Sequence, residues 1–292
     1  MIIITGATGQ LGQQVIAALR QHLPADQIVA SVRDTAKATR HLGDDIQVRT
    51  GDFDHPENLE TTFRDAAQVL IVSVDKVGKA ATDLHHAAIR AARAVGAGRI
   101  LYTSHQGARL HSPFTADHDH ALTEQFLAEG TTPFTALRHG FYAESALHMV
   151  GSGLRKGELR VPEDGPISWT ARADLAAADA AILAQAGRID GISPPLTGTK
   201  AYTMADLARL ASEESGRDIR HVTVTDEEWL AATEARGVPT VYARMLLGTF
   251  LAARRGDFNV VDPSLANLIG RPPLGMRKIL RDFLREPQGE AH

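Results

Sequence analysis

Thr5-Gly6-Ala7-Thr8-Gly9-Gln10-Leu11-Gly12 carries the first residue types along the chain that suit a chemical task. Three glycines spaced G-x-x-G-x-x-G sit directly behind the apolar run Ile2-Ile3-Ile4 and open an amphipathic helical pattern. That context fits a turn whose backbone N–H groups meet a phosphate at a helix N-terminus. Gly6 permits the tight turn, Gly9 lets the main chain approach a pyrophosphate, and Gly12 lets the helix pack closely under the sheet. Thr8, Gln10 and Leu11 complete the same phosphate-facing turn, which is one residue wider at its start than the plain dinucleotide pattern.

The second apolar run, Ile28 to Val32, ends in Arg33. A site for NAD(H) usually carries Asp or Glu there to accept from the ribose hydroxyls, whereas a guanidinium can make a forked contact with a 2′-phosphate. The charge favours NADP(H). Asp34 leaves two readings open. A strand end displaced by one residue would put a carboxylate in the critical place; otherwise Asp34 caps the next helix. Asp52 and Phe53, behind a third strand, can hold an adenine edge and face. Val74, Asp75 and Lys76, behind a fourth, should line the middle of the cofactor, with Lys76 either reaching a phosphate or facing water.

Many reductases built this way protonate their product with a Tyr-x-x-x-Lys pair on one helix face. The four tyrosines are followed at that spacing by Gln106, Ala146, Asp206 and Leu246, so the pair is absent. The helix that should bear it reads Asp117-His118-Asp119-His120-Ala121-Leu122-Thr123-Glu124. His120 and Glu124, one turn apart, are expected to line the cleft as a pair, Glu124 fixing the imidazole tautomer; the alternative is an exposed helix start whose acids complement the dipole. No metal is expected, because residues two apart diverge on a helix and no His-Glu-x-x-His occurs. Ser104 lacks the G-x-S-x-G setting of a nucleophile, so Thr103 and Ser104 are expected to hydrogen-bond nicotinamide, ribose or substrate. Without a proton donor, hydride chemistry suits an electron-poor acceptor such as a quinone or a cationic dye, reduced through proximity and orientation.

The elements that must position these residues alternate strand and helix, as parallel βαβ winding requires. Strands are expected at Ile2–Thr5, Gln27–Val32, Ile46–Arg49, Gln68–Val74, Arg99–Ser104 and Phe134–Leu137. Helices are expected at Gln10–Gln21, near Thr35–Arg40, from Pro56, at Lys79–Val95 and at Ala116–Ala128. Six strands complete a Rossmann-type, doubly wound α/β sheet. Residues 1–150 are expected to form this nucleotide-binding domain, with later segments able to return to the sheet. Residues 151–292, with a short strand at Ile219–Val224 and helical patterns at Ala173–Gln185, Met204–Glu214, from Asp226, Thr240–Arg254, Ser264–Ile269 and Met276–Leu284, are expected to form a smaller, mainly helical α/β lobe closing the cleft.

Composition narrows the partners. The 292 residues are 43% hydrophobic and 23% charged with a formal charge of -4, which provides no basic field for nucleic acid. Cysteine is absent, excluding disulfides and thiolate chemistry. There is no basic lead-in of a secretion signal and no run approaching the roughly 20 apolar residues of a membrane span, so a cytoplasmic protein without membrane contact is expected, as monomer or homodimer.

The order and spacing of Gly6-Ala7-Thr8-Gly9-Gln10-Leu11-Gly12, Val32-Arg33, Gly51-Asp52-Phe53, Tyr102-Thr103-Ser104, His120-x-x-x-Glu124 and Leu137-Arg138-His139-Gly140-Phe141-Tyr142 resemble the NmrA-like branch of the atypical short-chain dehydrogenase/reductases. Within it the chain is most similar to the bacterial NADPH-dependent quinone oxidoreductase and triphenylmethane reductase group, a likeness that extends to Arg172-Ala173-Asp174-Leu175-Ala176 and Asn267-Leu268-Ile269-Gly270. The resemblance implies a two-lobed reductase with NADPH between the lobes. It puts Gly9, Gln10, Leu11 and Arg33 around adenosine and phosphates, and Val74 to Lys76 near the ribose. It puts Thr103 and the turn bearing His139, Phe141 and Tyr142 around nicotinamide and acceptor. Similar enzymes usually carry Asn where this chain has His139. The branch also contains dinucleotide-binding redox regulators without turnover, which are the alternative.

Overall fold

The computed structural model describes residues 1–286. Its first half alternates β1 (Ile2–Ile4), α1 (Gln10–Leu19), β2 (Ile28–Val32), α2 (Thr35–Leu42), β3 (Gln47–Thr50), α3 (Leu59–Phe63), β4 (Gln68–Ile71), α4 (Lys79–Ala94), β5 (Arg99–His105), α5 (Thr115–Ala128) and β6 (Phe134–His139). The second half adds α6 (Ala143–Lys156), β7 (Glu158–Pro162), α7 (Arg172–Ala184), β8 (Gly191–Ile192), α8 (Met204–Ser215), β9 (Arg220–Val224), α9 (Asp226–Ala235), α10 (Thr240–Arg254), α11 (Ser264–Ile269) and α12 (Met276–Arg285).

Seven parallel strands run in the order β3-β2-β1-β4-β5-β6-β8. β1, β2 and β4 are buried throughout, as a sheet covered on both faces demands. Side chains alternate between faces: Ile2, Ile4, Ile28 and Ala30 pack with α1 and α7, while Ile3 and Val29 pack with α3 and α4. The order reverses between β1 and β4, which opens a crevice at the strands' C-terminal ends, where the glycine turn and the segment after β4 meet.

A second core gathers Trp169, Trp229, Phe250 and Phe258 with residues of α6, α8 and α12 around the two-stranded parallel sheet of β7 and β9. The two cores interleave along the chain. α6 and β7 lie in the second; α7 then packs on α1, and β8 pairs with β6 in the first; α8 to α10 go back to the second, and α11 lies on α7. Backbone hydrogen bonds fix the crossings, with Gly140 donating to Leu196, Leu196 to Arg138 (both 2.8 Å), and Thr170 to Phe141 (2.8 Å). Among the described residues no helix is long and apolar enough to cross a membrane.

Four local features depart from the sequence expectation, one of them the strand β7. β4 ends at Ile71 rather than Val74, because the amides of Ser73 and Val74 bond to the side chains of Thr103 and His85 instead of a neighbouring strand. The sheet has a seventh strand, β8, only two residues long and carrying little periodic signal. α6 was not expected: its Gly151-Ser152-Gly153 is poor in helix propensity and is accommodated by packing, Phe283 lying over Gly151.

Candidate functional site

The glycine turn is built for close approach. Gly6 has φ +57°, which side chains resist, and a Cβ on Gly12 would run into the Gly6 carbonyl and the Ala7 backbone. Thr5 ties the turn to the sheet, donating its amide to Leu70 (3.0 Å) and accepting from the Val72 amide through Oγ1 (2.9 Å). A cavity of about 420 Å³ opens beside it, lined by Gly6, Thr8, Gly9, Arg33, Asp52, Phe53, Val74, Asp75 and Lys76, nine of the residues singled out from the sequence. Leu11 and Gly12 are buried beneath the turn and support it rather than facing the cavity.

Arg33 follows β2 immediately and is exposed at the rim, with no hydrogen bond or ion pair from another described residue. Asp34 resolves as a cap: its Oδ1 accepts from the Ala36 amide (3.0 Å) at the start of α2. Lys76 is exposed and paired, its Nζ meeting Asp54 Oδ1 at 2.7 Å, and this ammonium beside Asp54 holds that carboxyl below its usual range. Ser73, which opens the segment expected there after the fourth strand, also lines the cavity, as do Asp54 and Ser31, which the sequence reading missed. The Ser31 hydroxyl is buried without a partner among the described residues.

The segment after β4 is pinned from behind by three side chains. Thr103 Oγ1 accepts from the Ser73 amide (2.8 Å), His85 Nε2 from the Val74 amide (3.1 Å), and Asp119 Oδ2 from the Gly78 amide (2.6 Å). Thr103 therefore positions the cofactor-side loop and is itself buried, not exposed to a ligand. Burial raises the pKa of Asp119.

His120 and Glu124 are not joined. The half-buried His120 places Nδ1 2.7 Å from the Tyr102 hydroxyl. Glu124 is buried and grips Arg138 with both oxygens (2.9 and 2.6 Å) while accepting from Ser104 Oγ (2.6 Å). The Glu124 carboxylate beside Arg138 holds that guanidinium's pKa up. Each side chain of α5 answers to the sheet rather than to the other, His120 to Tyr102 and Glu124 to Ser104 and Arg138. Ser104 is thus committed to Glu124 and is not a pocket residue. His139 is also buried, Nε2 lying 2.8 Å from Asp179 Oδ1 and Nδ1 3.4 Å from the Tyr142 hydroxyl. Burial, then the Asp179 charge, pushes the pKa of the Tyr142 phenol up.

A wider cleft of about 1140 Å³ begins at Gln10, the first residue of α1, and runs between α6 and α10. Phe114 and Phe141 form an aromatic wall, Met149, Met245 and Leu246 add apolar surface, and Arg172 stands near Gln10, its guanidinium over the Tyr142 ring at 4.9 Å. Of the expected pocket residues only Phe141 faces this space directly. Most of the remaining lining comes from α6, α10 and α12, where no local motif marks it.

His85 lends the network a pH signature. Burial, followed by the neighbouring His86, pushes its imidazole down to about 4 from 6.5. The unfolded chain then takes up a proton that the folded one refuses between those values, so stability is complete above pH 6.5 and falls as pH drops to about 4. The loss is about 3 kcal/mol, and His85→Gln should flatten that part of the profile in urea unfolding followed across this range. An unchanged slope would mean that other groups dominate.

Comparison with known proteins places this architecture. Quinone oxidoreductase 2 of Escherichia coli is 36% identical over 276 residues, covering 93% of this chain and 94% of that protein. The crystal structure of the E. coli NADPH-dependent quinone oxidoreductase complexed with NADPH matches with a TM-score of 0.91 at 34% identity, over 98% of this chain and 100% of the other. Triphenylmethane reductase of Citrobacter sp., complexed with NADP(H), matches with a TM-score of 0.89 at 29% identity, over 97% and 100% of the two chains. The profile of the NmrA-like family matches residues 1–269, and the chain belongs to that family.

Proposed function

We propose that this chain is an NADPH-dependent oxidoreductase that reduces an electron-poor small molecule such as a quinone. The observation that carries this reading is the position of Arg33 at the end of β2, on the rim of a cavity floored by the glycine turn, with Asp34 diverted into a helix cap. The NADPH and NADP(H) of the two similar crystal structures support the same cofactor. The backbone of Gly6 to Gly9 and the N-terminus of α1 hold the pyrophosphate, Arg33 takes the 2′-phosphate, and Asp52 and Phe53 meet the adenine. Val74 to Lys76 run beside the ribose on a loop fixed by Thr103, His85 and Asp119. When bound, NADPH supplies a hydride from its reduced nicotinamide. The Phe114 and Phe141 wall stacks a flat acceptor and excludes water, so that orientation rather than a Tyr/Lys relay brings the reacting atoms together.

Mixing the purified chain with NADPH and 1,4-benzoquinone should discharge the reduced-nicotinamide absorbance catalytically. Tight NADPH binding without turnover of any quinone would instead identify a dinucleotide-binding regulator.

A further inference from the structure

A chain of hydrogen bonds crosses the interior from the cofactor loop to His120, and ring contacts through His105 continue it to the wall of the acceptor cleft. The Val74 N–H can only donate, so His85 Nε2 carries the lone pair. His85 is neutral near pH 7, so its hydrogen is on Nδ1, 3.1 Å from Thr123 Oγ1 and 3.3 Å from the Tyr102 hydroxyl. Thr123 spends its own hydrogen on the Asp119 carbonyl (2.8 Å) and therefore accepts. Burial holds Tyr102 as the un-ionised phenol, and of its neighbours Thr123 and His120 the shorter contact is to His120 Nδ1, 2.7 Å away, to which we assign its hydrogen. His120 is kept neutral by burial first and then by His105, His85 and His139 around it. With Nδ1 accepting, its hydrogen lies on Nε2, which has no partner among the described residues and is not among the buried orphan atoms. The His120 ring stacks at 6.1 Å from that of His105, which in turn meets Phe141 edge-on at 5.1 Å and Phe114 at 5.7 Å, the wall of the acceptor cleft.

We propose that His120 donates a hydrogen bond from Nε2–H to the acceptor's carbonyl oxygen, with Tyr102 and His85 as positioning residues that fix its tautomer, so that the site favours acceptors whose reduction puts charge on oxygen. The inference rests on the reductase reading above. The hydride brings two electrons and one proton to the quinone, leaving a hydroquinone monoanion whose oxygen His120 steadies. The second proton comes from water, and His120 keeps its own. A neutral imidazole suits this task, because an imidazolium would hold a like charge against the oxidised nicotinamide. A cationic triphenylmethane dye is neutralised by the same hydride without forming an oxyanion and gains nothing from the donor.

Single-turnover hydride transfer to 1,4-benzoquinone and to a cationic triphenylmethane dye should be compared in the unsubstituted protein, His120→Ala, His120→Gln and Tyr102→Phe. His120→Ala is expected to slow the quinone reaction by about tenfold or more while changing the dye reaction by less than about twofold. His120→Gln, whose amide reaches the same point, should recover part of the loss, and Tyr102→Phe should show a smaller loss on quinone alone. Independently of turnover, nitrogen NMR of the cofactor-free protein should show His120 as the Nε2–H tautomer, converting to a mixture in Tyr102→Phe. Equal losses on both acceptors, no loss on either, or an Nδ1–H tautomer in the unsubstituted protein overturns the inference and leaves the reductase reading intact. No turnover of either acceptor by the unsubstituted protein defeats the reductase reading itself.

Discussion

Arg33→Ala is expected to weaken NADPH on the order of 100-fold while changing NADH by no more than about threefold, because each charge-assisted hydrogen bond to the 2′-phosphate is worth about 1.5–3 kcal/mol and NADH has no group there to lose. The side chain stands exposed at the cavity rim with no competing ion pair among the described residues, so its removal leaves the turn, the sheet and the cap made by Asp34 in place. Titration of intrinsic fluorescence or calorimetry with both cofactors measures the ratio. Equal losses for the two would mean that Arg33 supports the fold of the rim, and the 2′-phosphate would need another anchor. Arg33→Lys should recover only part of the affinity, since an ammonium cannot reproduce the fork.

Glu124→Ala should be the most damaging single change to stability among the site residues, at about 3 kcal/mol. The carboxylate binds both α5's neighbours in the sheet, Ser104 on β5 and Arg138 on β6, and its loss leaves the Arg138 charge partly buried without a counter-ion. Glu124→Gln keeps the shape and one acceptor and should fall between. Urea midpoints at constant slope decide the matter; a loss below about 1 kcal/mol would mean that Arg138 swings to water and rehydrates. Either way the change acts on the scaffold, so hydride transfer in the surviving folded fraction should be less affected than in His120→Ala.

What the sequence makes legible follows how local each feature is. The glycine turn, Arg33 and the residues just past β3 and β4 converge on one cavity, since a strand end followed by a turn fixes their place within a few residues. Ser104, Thr103 and His139 sit where strand counting puts them, at the C-terminal ends of β5 and β6, yet their side chains bond to Glu124, Ser73 and Asp179. Position along a strand is a matter of count, whereas the partner depends on how far α5 and α7 slide along the sheet. The same sliding explains why His120 and Glu124 answer to Tyr102 and Ser104. His85 was invisible as a site residue because its role depends on one backbone amide of a distant loop. The acceptor wall is the least legible part, with Phe114, Met149, Met245 and Phe283 drawn from four separated segments.

The interleaving of the two cores bears on how substrates enter. The polypeptide passes from one core to the other through several crossings, with Arg138 to Phe141 laced to Leu196 and Thr170, and Arg271 reaching back to Asp174 of α7 at 2.7 Å. No single peptide can serve as a pivot between the lobes. Any opening of the acceptor cleft must bend all of these crossings together, which favours small sliding adjustments of α6 and α10 over the swing of a hinged jaw. Neither lobe is a contiguous stretch of chain, so neither can be excised as one segment without cutting into the core of the other.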